Sequence, residues 1–283
     1  MKRTLHDLSD KTALVPLARV IADLDRVASI RNIPFFLIGA AARDVMLEHL
    51  HGLPAQRATK DVDFAVMVND WQSFQDLRAA LLAGENFTAR SKSANHKLYH
   101  STGAPLDIVP FGSIERADRT IAWPPDEHTI FDCFGAREAY GQCEGVLLPG
   151  TVIVAVASIP SLVLLKIAAW QDRKDSHPGK DAGDLMLYLE HYLACGNSDR
   201  AFDHHLDMFE AEEFDYVATG ARLLGYDLAS FLDADALARI LTILIPQTEA
   251  NGTLLLASQS GKPLAYAIKL LAALCAGLGT DHA

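Results

Sequence analysis

No stretch of the chain stays apolar for the roughly 20 residues that a bilayer-spanning helix needs. The best contender, Gly150 to Ala169, is interrupted by Pro160 and Lys166. The opening MKRTLHDLSDKTALVPLARV lacks the apolar core of a secretory signal, because charges recur through it. The expected location is therefore the cytoplasm, with no membrane partner. Cysteine is scarce as well. Cys133, Cys143, Cys195 and Cys275 stand far apart without a Cys-x-x-Cys pair, so neither a disulfide scaffold nor a zinc ribbon is expected and the thiols are read as reduced. Positive charge is also in short supply: 25 Lys and Arg face 36 Asp and Glu, a net of −11. A protein that coats nucleic acid indiscriminately needs clustered cations; that class is excluded, whereas a local basic site is not. Repeats and low-complexity tracts are missing too. What remains is 283 residues, half of them hydrophobic, enough for one large globular domain or two modest ones.

The pattern along the chain favours two. Residues 1–150 read as mixed α/β. Leu14, Leu17, Ala18, Ile21, Leu24 and Val27 recur at helical spacing, and Ile33 to Ile38 is a short apolar run that ends at Gly39. Asp61 to Val68 alternates with period two, Trp71 to Leu82 is helical, and Lys97 to His100 and Leu106 to Phe111 read as strands. Beyond residue 150 the texture turns helical: Ser158-Ile159-Pro160 opens one helix, and others follow at Asp181 to Leu193, Phe214 to Leu224, Ala234 to Ile245 and Pro263 to Ala276. The expected fold class is α+β, a mixed sheet flanked by helices in residues 1–150 followed by a helical domain in residues 151–283. Acid is concentrated in the second part. Ten acids between Asp199 and Asp235 face only Arg200 and Arg222, a composition that suits a solvated helical face.

Chemistry is concentrated in three carboxylates. On a strand, Asp61 and Asp63 point to the same side, and Asp107 lies on a later apolar strand, Leu106-Asp107-Ile108. Carboxylates set among Val, Phe, Leu and Ile are costly unless a positive charge neutralises them. Mg²⁺ takes hard oxygen ligands, few protein carboxylates and substrate phosphate. Two such ions about 4 Å apart activate an attacking hydroxyl and stabilise a leaving pyrophosphate. The plainer alternative makes Asp61 a turn cap and Asp107 a strand-end acid. Upstream, Leu37-Ile38-Gly39-Ala40-Ala41-Ala42-Arg43-Asp44 has the strand, glycine, small-residue and helix order that brings backbone N–H groups onto a phosphate. Adjacent Arg43 and Asp44 also fit an ordinary surface ion pair.

Gly39-Ala40 on a strand–helix turn, Asp61-Val62-Asp63 and Leu106-Asp107-Ile108 together resemble the nucleotidyltransferase superfamily related to DNA polymerase β. Ala41-Ala42-Arg43-Asp44 is similar to a turn of CCA-adding enzymes. Arg57-Ala58-Thr59-Lys60-Asp61-Val62-Asp63 looks more like the AbiEii-type branch of abortive-infection and type IV toxin–antitoxin proteins. Two departures stand out. Ala40 replaces the usual Ser or Gly, so a backbone N–H remains but no hydroxyl reaches a triphosphate, and 22 positions separate Gly39 from Asp61.

A second cluster resembles the same branch: Lys166 within Ser161 to Arg173, then Lys180-Asp181-Ala182-Gly183-Asp184-Leu185. Lys166 sits on an apolar helical face with Leu162, Leu165 and Ala169, where an ammonium needs a triphosphate or a carboxylate, or else must snorkel to solvent. Asp181 and Asp184 lie three apart and are placed to orient Lys166 or Arg173, or to act as first-turn acids.

The resemblance implies a nucleotidyltransferase that moves NMP from an NTP to an acceptor hydroxyl and releases pyrophosphate. Asp61, Asp63, Asp107 and Lys166 would be catalytic; Gly39, Ala40, Arg43, Lys166 and Asp184 would hold the nucleotide. Asp61, Asp63 and Asp107 would bind two Mg²⁺ ions, with Mn²⁺ as the alternative, and residues 151–283 would complete the cleft. Implied partners are the NTP, a tRNA or other RNA (or a protein) acceptor, and an antitoxin. Two other readings compete. An aminoglycoside-type nucleotidyltransferase shares the three acids, and the 199–235 segment suits a cationic acceptor. A basic groove near Arg43, Arg57, Lys60, Arg90, Lys92 and Lys97 would favour RNA. The third reading is a catalytically retired nucleotide-binding protein.

Overall fold

The computed structural model describes residues 4–54, 61–90, 96–125, 127–177, 179–204 and 214–279. Arg57, Lys60 and Lys92 of the expected basic groove lie outside the described residues, as does part of the acidic segment. The chain forms two compact units, Met1–Ser158 and Ile159–Ala283.

In chain order the first unit contains β1 (Leu5–Asp7), α1 (Val15–Ile30), β2 (Phe35–Ile38), α2 (Gly39–Arg43) continued by a π-helical turn over Asp44–Leu50, β3 (Val62–Met67) and α3 (Trp71–Ala83). There follow β4 (Phe87–Thr88), β5 (Lys97–His100), β6 (Pro105–Phe111), β7 (Thr120–Ala122), β8 (Ile130–Asp132), α4 (Ala136–Gly141), β9 (Glu144–Leu148) and β10 (Val152–Val156). Eight strands make one mixed sheet in the order β1-β9-β10-β2-β3-β6-β5-β4, and β7 and β8 form a separate two-stranded ribbon. This unit extends past residue 150 because β10 pairs antiparallel with β9 and parallel with β2.

The sheet has two different faces. Alternation along β3 and β6 buries Val62, Phe64 and Val66 together with Leu106 and Ile108 on one side. Leu98 and His100 of β5 point to that same side, where His100 Nε2 bonds Asp23 of α1 at 3.0 Å. Helices α1 and α3 pack on each other and supply Ile21, Leu24, Phe74, Leu77 and Leu81 to the core. On the opposite face the α4 ring of Tyr140 packs against Phe36 and Phe111, with centroids 5.7 and 5.8 Å away. Among the described residues, this aromatic cover lies at the Phe36 and Phe111 end of the face. The other end carries Ile38, Asp63, Asp107 and Lys97, which are in mutual register.

The second unit consists of α5 (Ile159–Arg173), α6 (Lys180–His191) with a π-helical turn over Leu193–Asn197, α7 (Ser198–His204), α8 (Tyr216–Ala229), α9 (Ala234–Leu244), α10 (Leu255–Gln259) and α11 (Leu264–Leu278). Its closest pairing is α8 against α11. A Cβ at Gly277 would lie 1.9 Å from the Arg222 carbonyl oxygen, and one at Gly225 would lie 2.2 Å from that of Leu274. Glycine there lets the two backbones touch. The acidic segment is less uniformly solvated than its composition suggests. Asp215 and Asp233 cap α8 and α9 through the backbone N–H groups of Val217, Ala218 and Ala236. Asp227 accepts from Tyr192 and Arg200 in a part-buried cluster. Among the described residues, no helix is long and apolar enough to cross a membrane.

Candidate active site

The other end of the first unit's sheet carries Asp63 and Asp107 of the expected catalytic residues, with Asp61 just ahead of β3. Ile38, the last residue of β2, is the register partner of Asp63 on β3, and Asp63 is in turn the partner of Asp107 on parallel β6. Register partners project to one face from strands about 4.8 Å apart, so the two carboxylates are lateral neighbours. Asp61 immediately precedes β3 and is exposed, while Asp63 and Asp107 are half-buried.

Gly39 closes this corner. Its φ is +69°, a left-handed conformation that costs other residues about 1–2 kcal/mol. A Cβ placed on it would lie 2.1 Å from Asp63 Oδ2. The turn therefore presses bare backbone against the carboxylate, and any larger residue would displace Asp63. Ala40 follows on the same turn and is half-buried.

Arg43 is not on the surface, which corrects the expectation of a surface ion pair. Its side chain is 4% exposed, and its Nε and Nη2 donate to Asp44 Oδ1 at 2.9 and 2.6 Å. The helical phase that buries Ala41, Ala42, Val45 and Met46 carries Arg43 inward with them, and Asp44 follows as its counter-charge. Burial raises the Asp44 carboxyl above the ordinary range, against the lowering effect of the Arg43 bond and charge.

Whether a divalent cation suits this corner can be judged from its donors. Among the described residues, no three His, Cys, Asp or Glu side chains are already gathered into a metal-binding group. The donor chemistry fits nonetheless. Asp63 and Asp107 offer hard carboxylate oxygens side by side, Asp61 lies two residues upstream on the same chain, and Gly39 leaves space where a side chain would intrude. A cation already stands beside one of them: Lys97, the register partner of Asp107 on β5, places Nζ 3.3 Å from Asp107 Oδ2.

The second unit brings its own charged residues together. Lys166, on α5, is 7% exposed. Its Nζ lies 2.9 Å from Asp181 Oδ1 and 2.6 Å from Asp184 Oδ2, both on α6. Arg173, two turns further along α5, donates Nε to Asp181 Oδ2 at 2.6 Å and Nη2 to Oδ1 at 2.8 Å. Lys166 thus does not snorkel; two carboxylates neutralise it. Burial of Asp181 would raise its carboxyl, but the Arg173 hydrogen bond and the charges of Lys166 and Arg173 outweigh that and hold it below the ordinary range. Spacing alone identified Asp181 and Asp184 as candidates to orient Lys166; the bridging of both cations by Asp181 needed the α5–α6 packing.

The cysteines form no part of either cluster. Cys133 and Cys143 are buried, with Sγ donating to the carbonyls of Pro110 and Ala139, and burial pushes the Cys133 thiol up to about 12.

The chain is similar to several solved structures. The antibiotic-resistance factor ANT(2'')-Ia is 16% identical over 69% of this chain and 95% of its own, with a TM-score of 0.38. A nucleotidyltransferase-like antigen from Paracoccidioides brasiliensis is 17% identical over 67% of this chain and 88% of its own, with a TM-score of 0.40. The Thermotoga maritima CCA-adding enzyme, in a complex with tRNA, is 15% identical over 94% of this chain and 81% of its own, with a TM-score of 0.25. No curated protein matches. The model of the family described as nucleotidyl transferase AbiEii toxin, type IV toxin–antitoxin system, matches residues 23–241, more than half of the chain. This chain, with its paired strand carboxylates and its lysine–aspartate helix pair, belongs to the AbiEii nucleotidyltransferase toxin family and is a nucleotidyltransferase.

Proposed function

We propose that the protein transfers NMP from an NTP to a hydroxyl of an RNA acceptor, with tRNA the first candidate, in a Mg²⁺-dependent reaction that serves a toxin–antitoxin system. The observation that carries the reading is the register of Asp63 with Asp107 beside a glycine that leaves the Asp63 carboxylate room. Asp61, Asp63 and Asp107 are the residues that would hold the cation, which supplies charge neutralisation for the triphosphate and the departing pyrophosphate.

The remaining roles belong to the chain itself. The Gly39-Ala40 turn offers backbone N–H groups to phosphate, and Asp107 accepts the proton of the attacking hydroxyl. In the helical unit, Lys166 is the buried cation of a charge cluster. Asp181 and Asp184 fix its ammonium, and Arg173 fixes Asp181. Arg43 supports the turn from within through Asp44. Catalysis then rests on positioning and charge complementarity.

The test supplies each labelled NTP with Mg²⁺ to the full chain, together with total RNA, total protein or a metabolite pool. Label entering RNA is the expected result. Label confined to a cationic small molecule would replace the acceptor with an aminoglycoside-type one, and label in protein would replace it with a protein side chain.

A further inference from the structure

We infer that the sheet margin beside Asp107, formed by Lys97, Tyr99 and Arg90, is the surface on which a single-stranded segment of the RNA acceptor lies. The inference rests on the reading of RNA as acceptor and adds to it the residues that hold the strand. Strands β5 and β4 are the last two of the sheet on the side of β6. On the face that carries Asp63 and Asp107, the next residue in lateral register is Lys97. Two residues further along β5, on the same face, comes Tyr99, which pairs with Pro105 on one side and Thr88 on the other. The Arg90 guanidinium lies over the Tyr99 ring, 3.8 Å from its centroid.

Three features make this a nucleic-acid surface rather than a generic edge. Lys97 and Arg90 are exposed and Tyr99 is half-buried, so two exposed cations share one sheet margin with a ring on a chain whose net charge is −11. Non-specific binding of a single strand combines such cations, which meet phosphates, with aromatic rings on which bases stack. The Arg90 guanidinium over the Tyr99 ring also sets a positive charge directly beside an aromatic surface. Finally, the surface begins at Asp107. Neighbouring strands are about 4.8 Å apart and two residues along a strand span about 7 Å, so a nucleotide on Tyr99 would leave its neighbour's hydroxyl beside the carboxylates.

The test uses the full chain with Arg90→Gln, Tyr99→Leu and, as a control with the same charge change on the α1 side, Arg26→Gln. A fluorescein-labelled single-stranded oligoribonucleotide reports Kd by anisotropy across a salt series, and labelled NTP reports kcat and KM for RNA. Loss of one base–aromatic stack corresponds to about 5- to 150-fold. Tyr99→Leu and Arg90→Gln should therefore raise Kd and KM for RNA by roughly tenfold or more, with KM for NTP unchanged. Arg90→Gln should also reduce the slope of log Kd against log salt by about 0.7, one phosphate contact; a purely structural role would leave that slope alone. Arg90 lies outside the strands, so its variant decides the matter if Tyr99→Leu folds poorly. RNA labelling by the wild type with unchanged Kd, KM and slope in both variants would overturn this surface and leave the transferase reading standing. Labelling of protein or a small molecule instead of RNA would overturn this surface together with the RNA acceptor, while transfer itself would stand.

Discussion

Replacing Asp181 by Asn tests whether the buried charge cluster of the helical unit holds Lys166 as described. Asp181 is 1% exposed and takes three hydrogen bonds, one from Lys166 and two from Arg173. An asparagine keeps the shape but removes the charge and turns an NH₂ group toward donors. Breaking a buried pair by removing one partner costs about 3–5 kcal/mol. Two features place the expected loss near the lower end, about 3 kcal/mol: Asp184 still holds Lys166 at 2.6 Å, and the Arg173 side chain, 37% exposed, can turn to water. On a unit of this size that amounts to roughly 10 °C in Tm. Urea denaturation followed by far-ultraviolet circular dichroism measures the loss, and its slope should stay that of the wild type.

The pH dependence supplies a second signature. The Asp181 carboxyl is held below its ordinary value of 3.8 in the folded state. Its contribution is therefore complete above that pH and is lost as pH falls through the lower folded value. The wild type should lose stability more steeply below pH 3.8 than Asp181→Asn does. A loss under about 0.5 kcal/mol, the range of ordinary surface changes, with parallel acid limbs, would refute the cluster's role.

Two other predictions follow from named contacts. Gly39→Ala should abolish most nucleotide transfer, because its methyl would occupy the place of Asp63 Oδ2 at 2.1 Å. The φ of +69° should lower stability by only about 1–2 kcal/mol, so a folded, inactive variant is expected and a fully active one would contradict the geometry. Asp215→Ala removes the cap that accepts from Val217 and Ala218 and should cost about 1 kcal/mol in urea denaturation. Asp215 also pairs with Lys269 Nζ at 2.6 Å, so no measurable change would mean that neither the cap nor that pair contributes.

Much of this was legible in the sequence because it is local. Period-two alternation located β3, the apolar stretch Leu106 to Phe111 located β6, and helical spacing located α1, α3 and the major helices of the second unit. Three kinds of feature were not legible. Strands β1, β9 and β10 are short, and β1 finds β9 only 140 residues later (Leu5 with Gly145), as β10 finds β2 119 residues away (Val156 with Leu37); no local pattern encodes that. Register decided which residues became neighbours: the sequence offers Lys97 only as one cation of a basic groove, and it lies opposite Asp107. Burial phase decided Arg43, whose charge suggests a surface place while the apolar residues around it carry it inward. Lys166 shows the converse. The cost of an ammonium on an apolar helical face was evident from Leu162, Leu165 and Ala169, and that cost correctly required a counter-charge, which Asp181 and Asp184 provide.

The central claim is that the strand carboxylates beside Gly39 carry out nucleotide transfer. Its most direct test is the Asp61→Ala, Asp63→Ala double variant, shown to be folded by circular dichroism and assayed beside the wild type with α-labelled NTP, Mg²⁺ and total RNA. The wild type should attach label to RNA and the double variant should attach none. Label transferred at the wild-type rate by the double variant would contradict the account.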